Sequence, residues 1–182
     1  MRSTLELVLR RSFDGGAWHG PSVADALRDV DARTALARPV PTAHSVWELT
    51  HHLMAWTREV TRRLRTGLAA MPIEGDWPAS PTATDPDALD AEWTRLRASL
   101  DEARDALLAE LADFPAERLD APVQAIGEPL TYAQMVIGLA EHNAYHGGQI
   151  VLVRRAASGR RPTTAEGAAP EPGRDPAQIT ES

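Results

Sequence analysis

The chain has 182 residues, 43% of them apolar and 25% charged, which fits one soluble domain with a real core and excludes a disordered or fibrous polymer. Its formal charge of −7 argues against general nucleic-acid binding, and no apolar run approaches the roughly 18 residues of a membrane span. It has no cysteine, which excludes disulfides, thiolate ligands and a protein thiol nucleophile, so any metal must be held by histidine, carboxylate or backbone oxygen.

The opening MRSTLELVLRRSFDGG has only a short apolar patch, broken by Glu6 and closed by Arg10 and Arg11, unlike a secretion signal. A cytoplasmic location is the expectation. Leu5, Leu9 and Phe13 recur at helical spacing and predict a first helix from about Ser3 to Phe13, stopped by Gly15 and Gly16. A shorter helical piece follows Pro21 and Ser22, with Val23, Ala26, Leu27 and Val30 on one side.

The second long helix opens at Ser45, which forms an S-x-x-E capping box with Glu48. Val46, Leu49, Leu53, Trp56, Val60 and Leu64 make its apolar stripe, and Gly67 ends it. From Leu68 to Thr84, prolines 72, 78 and 81 and Gly75 predict a long ordered connection that crosses the bundle or covers a site.

Asp85 and Pro86 are the cap and first position of a third helix. Its Leu89, Trp93, Leu96, Leu100, Ala103 and Leu107 alternate spacings of four and three, as in a packed bundle. Phe114-Pro115 closes it. Thr131 and Gln134 form a second capping box, with Leu130 and Met135 as a hydrophobic staple, and the fourth helix runs to about Ser158 before Gly159. The expected fold is therefore an all-α four-helix bundle over residues 1–158, followed by a disordered Pro-, Gly- and Ala-rich tail, 159–182. No strand is predicted.

The fourth helix carries His142 and His146, four apart and thus on one side of the helix axis. His146 falls within the stripe of Met135, Leu139, Ile150 and Val153, and His142 lies at its edge. On the second helix, His52 sits beside the Leu49, Leu53 and Trp56 stripe, whereas His51 points away and is expected to be solvated. Three inward imidazoles need hydrogen-bond partners, and a shared divalent cation meets that need at once. With positions left for water, such a site is open, and zinc, nickel, manganese or iron would suit it.

The segment HSVWELTHHLMAW, followed by LAEHNAYHGGQIVLVRRA and preceded by GGAWHGPSV, resembles the DinB/YfiT-like superfamily of metalloenzymes. The resemblance covers roughly residues 1–158. It implies a four-helix bundle that binds one divalent metal through a histidine of helix two and the H-x-x-x-H pair of helix four. By position these are His52, His142 and His146, the set that periodicity selects. Family activities include transfer of a low-molecular-weight thiol to an electrophile, so the resemblance implies a metal-dependent thiol S-transferase with a small thiol and an electrophile as partners. Some relatives are homodimers. The alternative is a non-catalytic metal-binding or stress-related protein whose ion is structural or sensory.

Catalytic residues are not assignable. His19, Glu48, Trp56 and Gln149 are candidates for substrate contact or for support of the ligands, and Trp18 and Trp47 for pocket walls. Arg154 and Arg155 are candidates for attracting a carboxylate, and Gly147 and Gly148 for close helix approach or substrate room.

Overall fold

A computed structural model describes residues 1–123 and 129–159. The all-α expectation holds: long helices α1 (Arg2–Asp14), α4 (Val46–Thr66), α5 (Pro86–Asp113) and α6 (Tyr132–Ser158) form the bundle, with short α2 (Val23–Ala26) and α3 (Ala32–Leu36) between the first two. Packing pairs α4 with α5 and α6, and α1 with α5 and α6, so each long helix has two principal neighbours around a common core. Leu9, Leu53, Leu107 and Ile150 are fully buried in it, each stabilising by about 1.5–3 kcal/mol relative to an exposed side chain. Among the described residues no helix is long and apolar enough to cross a membrane.

The caps fix the helix ends as the sequence predicts. Ser45 Oγ accepts from the Glu48 N–H at 3.2 Å, and the Glu48 carboxylate accepts from the Ser45 N–H at 2.9 Å. Thr131 and Gln134 repeat the arrangement on α6. Gly67 and Gly159 take left-handed C-terminal positions, with φ of 71° and 65°. A short helix and a short strand pair escape the pattern reading. Helix α3 is too short to show a period, and a two-residue antiparallel pairing of β1 (Pro122–Val123) with β2 (Leu130–Thr131) is too short to show alternation. The expected tail lies outside the described residues, apart from Gly159.

The connection from α4 to α5 doubles back along α4 and is fastened to it rung by rung. Arg62 donates to the Leu68 carbonyl and Arg63 to that of Ala70, while the Ala70 N–H donates to Glu59. Farther along, Arg58 donates to Glu74, Trp56 to Asp76 and Ser80 to Glu48. The α4 partners run from 62 and 63 back to 48 as the connection ascends from 68 to 80, so side chains of one helix face stand in for the backbone ladder the segment lacks. This strap brings Asp76 and Trp77 over the middle of α4. It also covers His51, which is half-buried beside Glu74 and Arg58 instead of solvated, with an Nδ1 that has no hydrogen-bond partner among the described residues and a pKa lowered chiefly by burial.

Candidate metal centre

His52 on α4 and His142 and His146 on α6 meet where the two helices pack, and one ring nitrogen from each lies within 4.8 Å of the other two. His52 and His146 are 4% and 6% exposed; His142 is half-buried. The helical geometry explains the meeting. His142 and His146 stack one turn apart on α6, with ring centroids 4.4 Å apart, and His52 inserts its ring 4.9 Å from the first and 4.7 Å from the second.

Hydrogen bonds fix which nitrogens face inward. The Asp76 carbonyl can only accept, so His52 Nδ1 carries the proton and donates to it at 2.6 Å. His146 Nδ1 donates to Gln149 Oε1, also at 2.6 Å. In both neutral rings the lone pair is then on Nε2. His52 Nε2 lies 2.9 Å from His142 Nε2, and His142 Nδ1 is buried without a partner among the described residues. All three pKa values are lowered: burial is the main cause for each, and for His142 repulsion from protonated His146 and His52 adds to it, pushing that ring down to about 3. Neutral imidazoles are the form a divalent cation takes as ligands. The donor set fits one divalent ion.

The strap supplies the surroundings that the sequence did not single out. Trp77 is sandwiched between His52 and His44, at centroid distances of 4.0 Å and 3.6 Å and interplanar angles of 8° and 2°. Asp76 holds His52 through its carbonyl and, through Oδ1, accepts from the Trp56 indole at 2.8 Å. A cavity of about 410 Å³ opens onto the three histidines, with Trp56, Val60, Met135 and Leu139 among its walls. Neither Asp76 nor Trp77 belongs to a helical period; the one signal available was the length of a proline-rich connection that must cover something.

The remaining candidates separate. Trp56 lines the cavity and Gln149 orients His146. The Glu48 carboxylate is occupied by the Ser45 cap, by Arg38 and by His44, not by any of the three histidines. His19 lines two pockets on the other side of α6, one of them with Gly147 and Gly148, and does not line the histidine cavity. Gly147 faces the Pro21 carbonyl, 3.9 Å from where a Cβ would stand, Gly148 has open space there, and neither glycine lines the histidine cavity. Trp18 is 97% exposed and Trp47 is buried against Trp93, so neither walls the cavity. Arg154 donates through Nη1 to the carbonyls of Asp25 and Arg28, at the α2 region, and does not line the histidine cavity.

A sequence profile described as the DinB superfamily matches residues 18–150, a span that holds all three histidines and the strap. No curated protein and no solved structure matches the chain.

Proposed function

The chain belongs to the DinB superfamily, and from that premise we propose that His52, His142 and His146 bind one divalent metal ion and that the protein is a transferase joining a low-molecular-weight thiol to an electrophile. The observation that carries this reading is the cavity of about 410 Å³ opening onto the three rings. An ion serving only as a staple between α4 and α6 needs no such space, so the non-catalytic alternative leaves the cavity unexplained.

A divalent ion at this position supplies positive charge that favours the thiolate over the thiol. The chain's own residues do the rest. Asp76 and Gln149 hold two imidazoles in the tautomer that keeps Nε2 free. Trp77 covers one face of His52, and Trp56, Val60, Met135 and Leu139 give a wall that excludes water from the reacting sulfur. In the transfer, a bond forms from sulfur to the electrophilic carbon, the leaving group departs with the bonding pair, and the thiol proton passes to solvent.

Metal analysis of protein purified without an affinity tag, followed by assay with small thiols and 1-chloro-2,4-dinitrobenzene, tests the reading. The expected result is about one equivalent of metal and thioether formation that His142→Ala abolishes. Thioether formation at the same rate in that variant would refute the metal-dependent mechanism, and stoichiometric metal with no turnover of any thiol would leave the staple reading in its place.

A further inference from the structure

Arg63 is 8% exposed, yet it lines the same cavity as the histidines. Its Nε donates to Glu59 Oε1 and its Nη2 to the Ala70 carbonyl, each at 2.7 Å, and Nη1 has no acceptor among the described residues. The guanidinium lies 5.5 Å from the centroid of the Trp56 ring, the same ring that stands 6.3 Å from His52 and 6.4 Å from His142. Glu59, 3% exposed, is paired with both Arg62 and Arg63, so one carboxylate serves two guanidiniums, and the other carboxylate on the cavity wall, Asp76, lies at the histidine end, where its Oδ1 accepts from Trp56.

Gln134 supplies a second spare donor at the cavity wall. Its Oε1 accepts from the Thr131 N–H at 2.9 Å, which turns the amide NH₂ away from the cap with no acceptor among the described residues. Arg63 lies three turns beyond His52 on α4, and Gln134 two turns before His142 on α6, so both lie toward the same end of the cavity, roughly 12–16 Å along the helix axes from the ligand row. Between the two polar ends the wall is apolar: Val60, Met135 and Leu139.

Resting on the metal-site reading above, we propose that the cavity is built for a carboxylate-bearing molecule with an apolar middle, its donor atom toward the three histidines and its carboxylate on Arg63 Nη1 and the Gln134 amide. Two unspent donors, the Arg63 Nη1 N–H and the exposed Gln134 amide, match one singly charged oxyacid group, and a charge-assisted hydrogen bond to a guanidinium is the strong kind. This assigns the cation that selects substrate to a residue of α4 facing the cavity, in place of the arginines at the end of α6.

The cobalt(II)-loaded full chain, titrated with 6-mercaptohexanoate and 6-mercaptohexanol, tests this. Sulfur-to-cobalt absorption reports the thiol end and the ratio of the two Kd values reports the carboxylate end. The carboxylate is expected to bind about tenfold or more tightly than the alcohol. Gln134→Glu keeps the capping box, because glutamate serves at that position, but places a negative charge against the ligand. It should bring the ratio close to one, as should Arg63→Met. Equal affinities in the unsubstituted chain would overturn the proposal, and so would tighter binding of the corresponding phosphonate dianion. If neither thiol gives the absorption band, the metal–thiolate reading fails by itself. The carboxylate site is then decided in the metal-free chain by the Trp56 indole N–H resonance: a shift with hexanoate but not hexanol, lost in Gln134→Glu, supports it, and no shift refutes it.

Discussion

Acidifying the metal-free chain should expose the cost of packing three neutral imidazoles together. His142 is pushed down to about 3, so at pH 5 it stays neutral in the folded chain, while in the unfolded chain an imidazole of ordinary pKa, about 6.5, is charged. The unfolded state then binds more protons, and stability falls as pH drops through the unfolded value. With a native pKa well below 5, the loss between pH 7 and pH 5 depends on the unfolded pKa alone and amounts to about 1.9 kcal/mol. His142 is half-buried, and solvent screening at its open edge reduces this to about 1–1.5 kcal/mol. His52 and His146 are lowered too, and their losses add in the same direction. Urea unfolding at both pH values, with a chelator present, measures the effect. The unsubstituted chain should lose about 1–1.5 kcal/mol more than His142→Gln does. Equal losses in the two proteins would show that residue 142 is solvated in the folded state, contrary to the packing described above.

Gln149→Leu removes the acceptor from His146 Nδ1 and should weaken metal binding about 10–100-fold, read by competition with a chromophoric chelator. Metal at about 100 times its Kd should stabilise the chain by about 2.7 kcal/mol, seen as a rise in Tm that His146→Ala abolishes; an identical Tm with and without metal would count against the site. Trp93→Phe deprives the Val30 carbonyl of its donor at 2.7 Å and should cost about 1–3 kcal/mol in urea unfolding without altering metal stoichiometry, since that pair ties α5 to the segment before α3.

The long helices are legible in the sequence because their ends carry side-chain chemistry. Ser45, Asp85 and Thr131 each accept from a backbone N–H within the first turn, and Gly67 and Gly159 stop the helices they follow. The choice of His52 over its neighbour is legible for a similar reason: adjacent helical positions differ by about 100°, so only one can share the apolar stripe. What periodicity cannot show is which exposed face will later be covered. His51 is half-buried by a segment some twenty residues downstream, and Asp76 and Trp77 reach the centre through bonds whose partners are spread along α4. The same limit applies to cations. Arg154 stands on the histidine helix itself but donates its Nη1 to two carbonyls and does not line the cavity, while Arg63, in the last turn of α4, does line it.

The strap also determines how ligand geometry depends on folding. The three imidazoles come from α4 and α6, yet the proton that sets the tautomer of His52 is held by a carbonyl from neither helix. That carbonyl is placed by a succession of contacts from Arg62 to Trp56, so loosening the connection at Ala70 or Glu74 weakens the alignment of a histidine on the helix beneath. In the unfolded chain none of these partners are near one another, and metal binding free energy becomes folding free energy. The same succession closes one long side of the cavity with Asp76, against Trp56 and Arg63 on α4. Ligand orientation and cavity shape therefore rest on the same contacts, and a substitution that frees the strap should lower metal affinity and small-molecule affinity together.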